Sequence, residues 1–188
     1  MLLSDELVTT QTMKWVKEFI VAFNVCPFAH REVEKDSVRC TVLRSKKMDV
    51  ALEELMTEIQ WLDEHPETET TLLVFPTLFS DFHRYLDFVD TAEDLMAEQG
   101  CEGIYQLATF HPNYCFAGAE ADDVSNYTNR SPYPMLHLLR EASLDKAIEF
   151  YGDTTEIPSQ NITKMESLGK PTLDEVFSGC MRVNIDEH

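Results

Sequence analysis

Between Phe110 and Glu141 the chain gathers side chains that can move protons and hold anions: His111 and His137, the pair Asp122 and Asp123, Asn126, Asn129, Arg130, Arg140 and Glu141. Histidines titrate nearest neutrality, so two of them suit general acid/base chemistry or metal ligation. Two arginines among amide side chains suit a bidentate grip on a carboxylate or phosphate. Pro112, Pro132 and Pro134 stiffen the same stretch, and a loop so rich in polar groups is where function concentrates.

Each of these residues has two readings. His111 follows an apolar strand pattern, where it can act as a base or ligand; alternatively its ring caps loop carbonyls. His137 is expected in the first turn of a helix, with Arg140 and Glu141 three and four residues on and sharing its face. The positive end of the helix dipole would then lower its pKa; the alternative is a surface triad. Arg130 and Arg140, flanked by Asn126, Asn129 and Asp123, form a substrate-binding set for an anion, or Arg130 locks the loop onto Asp122 or Asp123. Asp123 with Asn126 also fits turn chemistry. Cys26 could be a nucleophile activated by a histidine. Its place at a helix carboxyl end would raise its pKa unless N–H groups after Pro27 oppose that. A divalent transition metal would draw on His111, His137 and Glu141, with Cys26 as a further ligand.

Composition excludes whole classes of partner. Fifteen Lys and Arg against 34 Asp and Glu give a formal charge of −19, which leaves little positive surface for nucleic acid or an anionic membrane. The first residues, MLLSDELVTTQ, lack the basic and apolar blocks of a signal peptide. No apolar run of 18 residues exists to span a bilayer. Five scattered cysteines without a CxxC suit reduced thiols in a cytoplasm. Among six glycines there is no GxGxxG and no GxxxxGK[ST], and GxSxG and HExxH are absent. The usual nucleotide-cofactor cradles are therefore missing.

The elements that must position these residues follow from periodicity. Residues 10–24 carry Trp15, Val16, Phe19, Ile20 and Phe23 at helical steps, and 49–64 carry Leu52, Leu55, Met56, Ile59 and Leu62. A third amphipathic helix covers 78–99, ended by Gly100. Residues 37–43, 70–75 and 103–110 read as strands. A helix is expected from Met135 to Tyr151 with Pro134 near its first position, and a short one over 157–168. The alternation predicts an α/β fold, a small mixed or parallel sheet of three to four strands covered by helices, with an α+β ferredoxin-like order as the alternative. Residues 1–169 are expected to form one domain and 170–188 a loosely held tail.

The spans Asn24-Val25-Cys26-Pro27-Phe28-Ala29, Phe110-His111-Pro112, Phe116-Ala117-Gly118 and the run from Asp122 through Pro134 to His137-Leu138-Leu139-Arg140-Glu141 resemble the DUF1415 family of bacterial and plant proteins. The resemblance covers about residues 9–169, with Val25 where the family pattern has leucine; His30 lies outside the pattern. It implies no activity, since the family's function is unknown. The residues themselves leave two expectations. One is a small cytoplasmic enzyme acting on a small anionic metabolite, with His111 or His137 moving the proton. The other is a metal- or ligand-binding or regulatory protein without turnover.

Overall fold

The computed structural model describes residues 3–183. Helix α1 (Asp5–Trp15) starts at Ser4, whose side chain accepts from the Leu7 N–H at 3.2 Å, and runs on as a π-helical segment, Val16–Val21. Asn24 then takes a positive φ of 49°, and a short helix α2 (Ala29–Glu34) leads to strand β1 (Val38–Val42). Helix α3 (Met48–Glu64), strand β2 (Thr70–Val74), helix α4 (Phe82–Glu98) and strand β3 (Tyr105–Phe110) follow close to their expected places. A 3-10 turn, Val124–Asn129, interrupts the polar loop.

The largest departure comes next. Met135–Arg140 is strand β4, and only Glu141–Tyr151 is helix, α5. The run Met-Leu-His-Leu-Leu-Arg contains no β-branched residue and favours helix by propensity. Tertiary context overrides that preference. The sheet order is β1-β2-β4-β3, with β1 and β2 parallel and β4 antiparallel to both of its neighbours. A strand between two others, buried on both faces, reads as an unbroken apolar run rather than an alternating one. Pro134 therefore precedes a strand, and no helix N-terminus lies there to favour an anion. The fold is α/β with an open, mixed, four-stranded sheet, as expected in class.

Register assigns each side chain to a face. Leu72, Val74, Met135 and Phe110 face α1, the π-helical segment and the last helix, together with Trp15, Phe19 and Val25. Leu73, Leu136 and Leu138 face α3 and α4, together with Leu55, Tyr85 and Phe88. That second face also buries a charge: Glu58 is 5% exposed, and it accepts from Arg39 Nε at 2.8 Å and from the Thr71 hydroxyl at 2.9 Å. Pairing of this kind is what makes a carboxylate tolerable inside.

The last helix, α6 (Ile157–Met181), is longer than the 157–168 expected, with a break at Gly169, whose φ of 73° and ψ of 157° are not helical. The segment after Gly169 differs from the loosely held tail expected there. It is helical to Met181, and Leu173 and Cys180 are each 0% exposed. Residues 184–188 of that expected tail lie outside the described residues.

Candidate functional site

The sheet separates the two histidines. Alternation along β4 puts His137 on the α1 face, between Leu72 and Ala108 of its neighbouring strands. His111, just past β3, turns to the α4 face, where its ring lies 5.1 Å from that of Tyr85 and 5.2 Å from that of Phe82. The two imidazoles do not share a site.

His111 is fully buried and both ring nitrogens are occupied. Its Nδ1 accepts from the Asn113 N–H at 3.0 Å, so Nε2 carries the proton and donates to the Phe79 carbonyl at 2.8 Å. Protonation of Nδ1 would leave the Asn113 N–H without its acceptor, and burial likewise holds the pKa below its ordinary value. Phe79 has φ 62°, a strained value for an aromatic residue, and His111 clamps the carbonyl of that turn. Of its two readings, the geometry matches the capping one.

His137 differs. The Thr70 hydroxyl has one proton and gives it to the Leu138 carbonyl at 2.6 Å, so its oxygen can only accept from His137 Nε2, also at 2.6 Å. That contact fixes the tautomer. The proton sits on Nε2 and the lone pair on Nδ1, which has no hydrogen-bond partner among the described residues. Burial lowers the pKa of His137 to about 4, so the ring is neutral at pH 7. The lowered value was expected from a helix dipole; the strand has no such dipole, and desolvation takes its place.

Both arginines donate to backbone carbonyl oxygens. Arg130 donates to Ala121 at 2.7 Å and Tyr114 at 3.3 Å, and its guanidinium lies 4.7 Å from the centre of the Tyr127 ring. It does lock the loop, but through carbonyls rather than Asp122 or Asp123. Arg140 caps the end of α3: it donates to Leu62 at 2.6 Å, His65 at 3.2 Å, Thr68 at 3.1 Å and the Tyr105 hydroxyl at 3.1 Å. The amides are occupied in the same way. Asn126 accepts from the Phe116 N–H at 2.9 Å and donates to Glu120 at 2.8 Å, while Asn129 donates to Thr109 at 2.9 Å. Asp123 caps the 3-10 turn through the Ser125 N–H at 2.8 Å, which lowers its pKa.

Glu141 cannot join His137 on one ion. Four residues of near-extended chain separate them by about 13 Å, where a helix would have stacked them. Among the described residues no three His, Cys, Asp or Glu side chains gather closely enough to hold a metal. Cys26 does lie on the His137 side of the sheet, packed with the cluster around Trp15 and Phe19. Burial pushes its thiol up, and the N–H groups of Phe28 and Ala29 only partly oppose that.

Sequence reasoning missed the residues that build this side of the molecule. Thr70, which fixes the His137 tautomer, looked like an ordinary β-branched strand residue. Asn161 and Lys164 of α6 hold the turn before Cys26: Asn161 donates to the Val25 carbonyl at 2.9 Å, and Lys164 reaches those of Phe23 and Asn24. The clearest signal for Asn161 was a polar residue on the apolar stripe of a helix. A buried Tyr127 hydroxyl donates to Asp174, tying the polar loop to α6. Together these contacts make residues 122–134 a scaffold, with His137 the one histidine of the pair that keeps a free lone pair.

No curated protein and no solved structure matches the chain. A family model, described as a protein of unknown function, matches residues 7–175. With most of its length matched, the chain belongs to the DUF1415 family.

Proposed function

We propose that this protein is a small enzyme whose proton-transfer group is His137. The observation that carries the reading is the fixed tautomer: a neutral imidazole with Nε2–H anchored on Thr70 and the Nδ1 lone pair unpartnered. A base must be unprotonated at its working pH and aimed by a second group, and His137 meets both demands. A reducing compartment such as the cytoplasm suits the five unpaired cysteines. The substrate is a small polar molecule held by hydrogen bonds. Arg140 is committed to the carbonyls at the end of α3, so an anionic substrate would depend on Arg130, whose Nη1 has no hydrogen-bond partner among the described residues.

The test separates chemistry from scaffolding. Wild type, His137→Asn and His111→Asn are incubated with a panel of small polar metabolites, and consumption is followed by mass spectrometry beside thermal melts. His137→Asn is expected to abolish turnover with a melting temperature within about 3 °C of wild type, since the only hydrogen bond lost is the one to the Thr70 hydroxyl. His111→Asn is expected to lower the melting temperature by several degrees, because a buried clamp is lost. Equal turnover by wild type and His137→Asn would overturn the reading.

A further inference from the structure

Helix α5 is held unlike the other long helices. None of its 11 residues is buried, Phe150 is 95% exposed, and Tyr151 is 44% exposed. Its first residue is fixed: the Glu141 N–H donates to the Ile104 carbonyl at 2.9 Å, next to the clamped Arg140. At its far end Gly152 has φ 94° and ψ −131°, a conformation open almost only to glycine. Near that end the Tyr151 ring meets Phe28 edge-on, with centroids 5.7 Å apart.

These two contacts bracket the path of the helix. Eleven helical residues span about 16 Å, more than the roughly 10 Å of strand between Arg140 and His137. Phe28 belongs to the turn that joins Cys26 to α2, on the His137 side of the sheet. On that face of the sheet Ala108 and His137 are half-buried. We propose that α5 is a lid over His137, latched where Tyr151 meets Phe28 and free to swing about its Glu141 end while Gly152 takes up the change. The function of the lid rests on the reading of His137 as the reactive group; its motion does not.

Hydrogen exchange and carbethoxylation of His137 by diethyl pyrocarbonate, both read by mass spectrometry at pH 7, test the lid on wild type, Tyr151→Ala, Phe28→Leu and Phe150→Ala. The amides of α5 are expected to exchange at least tenfold faster than those of α3 in wild type. Either latch variant should raise both α5 exchange and His137 modification about fivefold, the size of one aromatic contact, with α3 exchange unchanged. Phe150→Ala, which touches no latch residue, should alter neither. Wild-type α5 exchange as slow as that of α3 would overturn the proposal. So would latch variants that free α5 without exposing His137. If Tyr151→Ala disturbs α3 as well, Phe28→Leu decides. The His137 reading fails separately, by unchanged turnover in His137→Asn.

Discussion

An arginine is fitted to five hydrogen bonds in a plane, and anions and backbone carbonyls offer it similar acceptors. Arg140 gives this capacity to the open end of α3, where carbonyls that no later turn can satisfy converge with the negative end of the helix dipole. Removing it strands several partly buried acceptors at once. Arg140→Met is therefore expected to cost about 2–4 kcal/mol, measured by urea unfolding. Arg140→Lys should recover less than half, because a point charge cannot serve three carbonyls in a fork. Arg130→Met removes two loop contacts at a partly exposed site and should cost about 1 kcal/mol. A ranking in which Arg130 matters more would show that the α3 cap is not what Arg140 supplies. The same ambiguity explains what was legible here. The sequence showed that polar groups cluster between Phe110 and Glu141, but their partners are carbonyls, which every residue carries and no motif displays. Thr70 illustrates the limit: a hydroxyl far away in sequence fixes the His137 tautomer.

Elements with strong periodicity were readable to within a few residues, as α3 and α4 show, because an amphipathic helix writes its own buried face into the sequence. Strand β4 was not, because it is central: both of its faces are apolar, and periodicity cannot tell such a strand from a buried helix. Pro134, which suits the first position of a helix, punctuates a strand start equally well. Misplacing β4 also misplaced the site, since the helical face shared by His137, Arg140 and Glu141 does not exist. The far end of α6 was missed for a different reason. Gly169 and Pro171 are helix-ending residues by local rules, yet the chain resumes its helix beyond the break. Its apolar residues then find the α1 face: Phe177 packs against Phe19 at 5.0 Å and Tyr127 at 5.4 Å. Leu173 is fully buried, so Leu173→Ala should cost about 2–5 kcal/mol, measured by urea denaturation, whereas a loosely held tail would show almost no change. Ending the chain at Gly169 should abolish cooperative unfolding, since the cluster around Trp15 would lose one wall.

At the scale of the molecule, 34 acids against 15 bases leave a net charge of −19 that repels itself at neutral pH, so added salt should raise the melting temperature by screening. Acidification has two opposing effects that separate by pH. Above about pH 5 most carboxylates remain ionised, because their ordinary range lies near pH 4, and relief of repulsion has barely begun. The histidines act in that window. In the unfolded chain they take up protons near pH 6.5, whereas burial holds the folded His137 to about 4 and lowers His111. A group with a depressed folded pKa makes the unfolded state bind more protons between the two values, so stability falls as pH falls through that interval. The expected profile is a melting temperature flat from pH 8 to 7 that declines from pH 6.5 to 5 in high salt, where the charge repulsion is already screened. His137→Asn should remove part of that decline without changing the plateau. His111→Asn should lower the plateau and remove part of the slope as well, because its ring both clamps Phe79 and titrates only on unfolding. A wild-type decline confined to pH below 4.5 would assign acid sensitivity to carboxylates instead. A slope unchanged in both variants would mean that the two imidazoles titrate alike in folded and unfolded chains, and the neutral base assigned to His137 would go with it.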